Sequence, residues 1–318
     1  MLRQPAIGLL KRLAAEGVSP WMTVADGEEF IPGFHGAVAP VLALETVRRA
    51  CDALGNAFVE SGGRQGRVSV PVDPWLGHDA ESMVSAARSV HGDVGRPNLL
   101  IRIPATGAGL AALEECLSLG ISVHADLIFS AERYEEVLGA YLAGMERALS
   151  RGLWLRRIAV VTSVPVGVLD AEVNSRLAAP ANPGSANPGV TAAGARDTAA
   201  VAVARQLYRV REQRLGGEWW RVLRVAGAAP PGLLWTEVRP RHVSSLVGWN
   251  TAQAVTRGVL EAAAAAEQLR GDTLLNAHAE ARRALDALDG LGIRMADVAR
   301  ELEAAELDRL RRSWTLRP

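Results

Sequence analysis

The sequence predicts a parallel α/β fold, a (β/α)8 or TIM barrel. Two observations carry this: one strand–helix–strand unit that is legible residue by residue, and the recurrence of strand and helix patterns along the rest of the chain. The unit is Asn98–Ser130, NLLIRIPATGAGLAALEECLSLGISVHADLIFS. LLIRI is a short β-branched run stopped by Pro104. GAGLAALEECLSLG carries apolar residues at helical spacing and ends on Gly120, and ISVHADLIF is a second short strand. Two strands joined by a helix within about thirty residues make a right-handed βαβ unit, whose parallel strands are buried on both faces. Three polar residues nevertheless interrupt them: Arg102, His124 and Asp126.

In chain order, MLRQPAIGLLKRLAAEG opens as an amphipathic helix, too polar and periodic for a secretory signal. Short apolar runs then alternate with helical segments: SPWMTVA, GRVSVPVDP followed by the helix HDAESMVSAARSV, the unit above, then IAVVTSVPV, GLLWTEV and LVGWNT. APANPGSANPGV, rich in Pro, Gly, Ala and Asn, reads as a mobile loop over residues 178–192 within one domain spanning 1–318.

Composition narrows the function. The 318 residues carry 35 basic and 35 acidic side chains, and this neutral balance argues against a nucleic-acid or anionic-membrane surface. No apolar run approaches the roughly 20 residues that span a bilayer, so a cytoplasmic protein is expected. Cys51 and Cys116 lie in helical patterns without metal-ligand or disulfide spacing and read as reduced and structural. No metal or cofactor is expected, and self-association into a homo-oligomer stays open. Lys11 is the single lysine, in the opening helix.

LLIRIPATGAGLAALEE followed by GISVHADLIFSAERYEEVLGAYLAGMERAL resembles the transaldolase family, where these strands typically read LIKIPAT and VNVTLIFS. SPWMTVA is similar to the family's SIWLDDL and GRVSVPVDP to GRVSIEVDP. The resemblance covers nearly the whole chain, weakest over Ala25–Leu44, and implies a barrel of the transaldolase type. It also implies where the chemistry has changed. The Schiff-base lysine of LIKIPAT falls on Arg102, and a guanidinium with a pKa above about 12 is no amine nucleophile at neutral pH. The asparagine and threonine of VNVTLIFS fall on His124 and Asp126. The catalytic aspartate of the first strand falls on Thr23, and the glutamate of SIEVDP on Pro71, with Ser69 kept. SFFVSR reads SVPVGV, keeping Ser163 but placing Val168 at the phosphate-binding arginine, and LWAST reads LWTEV, placing Glu237 at a position associated with phosphate contacts.

These substitutions lead to an expected function. A lost guanidinium at Val168 and a gained carboxylate at Glu237 disfavour a phosphate dianion, and Trp21, Trp75, Trp235 and Trp249 in or after strands suggest an apolar pocket, although each also suits barrel–helix packing. The leading expectation is a repurposed, lysine-independent acid/base enzyme of specialised metabolism, a cyclase, isomerase or lyase with a non-phosphorylated, largely apolar small-molecule substrate. Asp126 would move the proton with His124 assisting, and Arg102 and Glu237 would orient. Against this stand a buried Arg102–Asp126 ion pair that only satisfies itself and a wall histidine that only fills its hydrogen bonds. Two alternatives are dihydroxyacetone transfer between sugar phosphates, as in transaldolase, and a catalytically silent binding protein. Glu237, Arg239, Arg241 and His242 in WTEVRPRH form a charged cluster that a solvated loop face also explains, and His78 and Asp79 read as a helix start.

Overall fold

The computed structural model describes residues 2–24, 30–40, 43–179, 191–266 and 269–315. Eight parallel strands pair in chain order and the last pairs with the first, closing a barrel. α1 (Gln4–Ala15) leads into β1 (Val18–Thr23). β2 (Gly36–Val38) is followed by α2 (Leu44–Ala53) and α3 (Gly55–Glu60), β3 (Arg67–Pro71) by α4 (Ala80–Val94), and β4 (Leu99–Pro104) by α5 (Gly107–Ser118). β5 (Val123–Asp126) precedes α6 (Ala131–Ser150). β6 (Val160–Pro165) precedes α7 (Val166–Ala178), α8 (Ala192–Ala195), α9 (Ala199–Leu215) and α10 (Glu218–Val225). β7 (Gly232–Thr236) precedes α11 (Pro240–Ser245), and β8 (Thr251–Val255) precedes α12 (Arg257–Ala266), α13 (His278–Gly290) and α14 (Met295–Thr315). Most of the loop expected at 178–192, residues 180–190, lies outside the described residues.

The βαβ unit forms as its sequence dictates. Thr106 caps α5 by accepting the Gly109 N–H at 3.0 Å, and Gly109 lies so close to the Pro104 carbonyl that no Cβ fits there. Ser130 caps α6 through the Arg133 N–H, and Asp79 caps α4 through the Ser82 N–H. The last strand differs from expectation. It is TAQAV, starting at Thr251, and LVGW runs before it. Its short Ala and Gln side chains carry little β signal, yet all five residues are buried because both faces of a barrel strand are covered.

Side chains from alternate strand positions fill the barrel, and Trp21, Val38, Leu100, Val161 and Leu234 belong to one apolar cluster separate from the helix-facing core. Trp21 is the largest of them. α14 packs on the turn after β3 and on α7, and Leu307, Leu310 and Trp314 close over Arg102 and Asp126 with only about 30 Å³ left between. No helix among the described residues is long and apolar enough to cross a membrane.

A Cβ on Gly36 would lie 2.5 Å from the Trp21 ring. Gly36→Ala is therefore expected to cost about 1–3 kcal/mol, as overpacked interiors do, read as a lower urea midpoint. An unchanged midpoint would mean that the ring does not fill this space.

Candidate active site

The strands end at a cavity of about 550 Å³, whose wall includes Thr23, Arg102, Asp126, Val168 and Glu237. This is the face where βα loops converge in such barrels. α14 supplies another part of the wall through Glu306, Arg309, Leu310 and Ser313.

β4 and β5 are paired neighbours, with Arg102 opposite His124 and Pro104 opposite Asp126. Arg102 Nε stands 3.7 Å from Asp126 Oδ2, with side chains 11% and 16% exposed, so the two form an ion pair. The other end of the guanidinium donates to the Ala39 carbonyl at 2.8 Å. Asp126 Oδ1 accepts the Ser163 hydroxyl at 2.7 Å and the Leu127 N–H at 2.8 Å, the latter from a left-handed backbone at φ 62°. Burial works to raise the Asp126 carboxyl, but Arg102, His124 and these hydrogen bonds outweigh it and hold it below the usual carboxylate range. Burial pulls the Arg102 guanidinium down, opposed by Asp126 and then Glu237. Both remain charged at neutral pH, and neither is an amine.

His124 lies one layer deeper, fully buried, and does not line the cavity. Its Nδ1 is 2.6 Å from Ser69 Oγ, and its Nε2 has no hydrogen-bond partner among the described residues. Burial pushes the imidazole down to about 3, with Arg102 adding to this and Asp126 opposing. It is neutral at pH 7.

The four tryptophans do not converge on the mouth, and none lines the cavity. Trp21 is inside the barrel below it. Trp75 sits on the turn after β3, with the Arg311 guanidinium 5.5 Å from its ring centroid. Trp235 is fully buried among the helix-facing core. Trp249 precedes β8 and lies against Gly17 at the opposite, N-terminal end of the strands, 70% exposed. Alternation along a strand sends Trp235 outward, and the late start of β8 removes Trp249 from the strand altogether.

Of the residues read as a solvated loop face, Arg239 is exposed as expected and also borders the cavity, whereas His242 is buried. Arg239 follows β7 by three residues, lines the cavity alongside Val168, and makes no ion pair among the described residues. Arg102 and Arg309, the other cavity guanidiniums, are paired with Asp126 and Glu306. Glu237, at φ 53°, lines the same cavity and lies near enough to bias Arg102. Among the described residues no group of His, Cys, Asp and Glu is arranged to hold a metal ion.

Because the His124 imidazole lies below its ordinary value, the native state binds fewer protons than the unfolded chain between pH 6.5 and about 3, and stability falls as pH drops through that window. From pH 6 to pH 5 the wild type should lose about 1 kcal/mol more unfolding free energy than His124→Asn. Parallel urea titrations would show this, and identical pH profiles would contradict a buried neutral imidazole.

Comparison with known proteins places this geometry. The sequence profile of the family described as Transaldolase/Fructose-6-phosphate aldolase matches residues 35–316. Transaldolase 1 of Streptomyces avermitilis is 39% identical over 277 residues, covering 84% of this chain and 71% of its own. The transaldolase of Acidothermus cellulolyticus is 39% identical over 277 residues, 85% of this chain and 72% of its own. That of Parafrankia sp. is 37% identical over 287 residues, 88% and 76%. Relatives this similar, all named transaldolases, overturn the expectation of a repurposed cyclase, isomerase or lyase acting on an apolar substrate in specialised metabolism. The apolar substrate was inferred from Val168, Glu237 and the tryptophans, without Arg239, and the lysine-independent chemistry from Arg102, His124 and Asp126. A closed eight-stranded parallel barrel and this extent of similarity together establish that the chain belongs to the transaldolase family.

Proposed function

We propose that this chain takes a phosphorylated sugar at the barrel mouth, with dihydroxyacetone transfer between sugar phosphates as the reaction its relatives point to. The observation that carries the reading is Arg239, a guanidinium without an ion pair among the described residues, in the wall of an open cavity that also offers carboxylates. An unpaired guanidinium binds a phosphate dianion through charge-assisted, bidentate hydrogen bonds. The carboxylates of Asp126 and Glu237 accept sugar hydroxyls. Cys51 and Cys116, buried and unpaired, fit a cytoplasmic setting.

A second reading has its own observation. Transfer through a Schiff base needs an amine beside the ketose carbonyl. β4 presents Arg102 there, and the chain's one lysine, Lys11, is exposed on α1. This favours a protein that binds the sugar phosphate without transferring any part of it.

Isothermal titration with fructose 6-phosphate, with borohydride trapping and intact mass alongside, tests both. The wild type should bind, and Arg239→Gln should weaken binding at least tenfold, about 1.4 kcal/mol. A trapped adduct that disappears in Lys11→Arg supports transfer, and binding without an adduct supports the second reading. No binding overturns both.

A further inference from the structure

Beside the loop that carries Glu237 and Arg239, α7, α9 and α11 meet at one buried carboxylate. Asp170, on α7, has a side chain with no exposed area. Its Oδ1 accepts the Ala200 N–H at 2.8 Å, and its Oδ2 accepts from Arg241 at 3.1 Å and faces His242 Nε2 at 2.9 Å. Arg241 continues to Asp197 at 2.6 Å. On the other side of the His242 ring, Nδ1 accepts the backbone N–H of Arg239 at 3.2 Å. An imidazole nitrogen that accepts carries no proton, so the ring proton lies on Nε2 and is donated to Asp170.

The loop needs such support. Glu237 is held at φ 53°, a left-handed conformation that costs a residue with a side chain free energy and persists only where its surroundings over-determine it. Two features hold it from opposite sides. Gly167, at the start of α7, faces the Glu237 carbonyl so closely that no Cβ fits, and the His242 ring holds the N–H of Arg239. Burial would raise the Asp170 carboxyl, but the hydrogen bonds from His242, Ala200 and Arg241 outweigh it and keep it below the usual range. The acceptor for the ring proton is thus an ionised carboxylate.

We propose that Asp170 and His242 are positioning residues for the ligand-binding loop: Asp170 keeps the ring proton on Nε2, and the bare Nδ1 clamps the Arg239 backbone so that Glu237 and Arg239 face the cavity. The role in ligand binding rests on the reading above, in which Arg239 meets the phosphate. Neither residue lines the cavity, so both act through the loop.

Asp170→Asn is the informative substitution. The buried Ala200 N–H cannot move its proton, whereas the His242 ring can and Arg241 keeps Asp197, so the amide oxygen stays on Ala200 and the NH2 faces Nε2–H, donor against donor. The ring then moves its proton to Nδ1 and can no longer accept from Arg239. In ¹⁵N-imidazole NMR of the full chain, His242 should switch from the Nε2–H to the Nδ1–H tautomer, the Arg239 amide resonance should shift, and the Kd for fructose 6-phosphate should rise about tenfold. The rise should vanish when Arg239→Gln is already present, whereas a merely structural role would lower Tm equally in both backgrounds without this coupling. His242→Asn, whose side-chain oxygen can replace Nδ1 as acceptor, should keep affinity within about threefold of wild type, and His242→Leu should not. This second pair covers the case in which Asp170→Asn does not fold. A ring that stays Nε2–H in Asp170→Asn, or a switched ring with unchanged affinity, overturns the proposal. If the wild type binds no sugar phosphate, the reading of Arg239 fails, and the ring tautomer and the Arg239 amide still show whether Asp170 positions the loop.

Discussion

A guanidinium that stays charged inside a barrel sets the terms for everything around it. An isolated buried ion costs several kcal/mol even after relaxation, and only close counter-charges and full hydrogen bonding offset it. Arg102 meets this demand from several sides: the Asp126 carboxylate at 3.7 Å, the Ala39 carbonyl at 2.8 Å, and the field of Glu237. Asp126 in turn depends on Ser163 and on a left-handed Leu127 to hold its carboxylate in place. The next layer down is uncharged. His124 is neutral there, and Trp21 with its apolar neighbours fills the remainder.

The same pair divides the mouth in two. Over the β3–β5 side, α14 brings Leu307, Leu310 and Trp314 down on Arg102 and Asp126. On the β6–β8 side the cavity stays open, walled by Val168, Glu237, Val238 and Arg239. A ligand that enters from the open side meets Arg239 at the wall and the Arg102–Asp126 pair at the floor. A phosphorylated sugar has that polarity, with a dianion at one end and hydroxyls and a carbonyl at the other. On the reading proposed above, Arg102 at the Schiff-base position alters the reacting end of the site, and Arg239 is the cation for the phosphate end.

Much of the fold was legible because barrel strands announce themselves. LLIRIP and VVTSVP are buried on both faces and read as near-continuous apolar runs, and Thr106 and Ser130 cap the helices that their sequence positions suggest. β8 was misplaced because TAQAV is small and partly polar, so burial by surrounding helices, which a sequence does not display, decides its state. At the site, adjacency of Arg102 and Asp126 followed from pairing of consecutive strands. What sequence could not supply was direction. Trp235 and Leu234 differ by one position, yet one faces the helices and the other the barrel. Arg239 and Arg241 differ by two, yet one lines the cavity and the other is tied to Asp170 and Asp197. The loop that carries Glu237 and Arg239 takes its course from contacts with Gly167 and His242, which exist only in the folded chain.

In the proposed function, the mouth recognises the phosphate of a sugar. The most direct measurement is the affinity of the wild-type chain for fructose 6-phosphate against that for fructose, by isothermal titration at one ionic strength and pH. This account predicts that the phosphate ester binds at least tenfold more tightly, as one charge-assisted guanidinium contact worth about 1.5–3 kcal/mol requires. Equal affinity for the two sugars would contradict it.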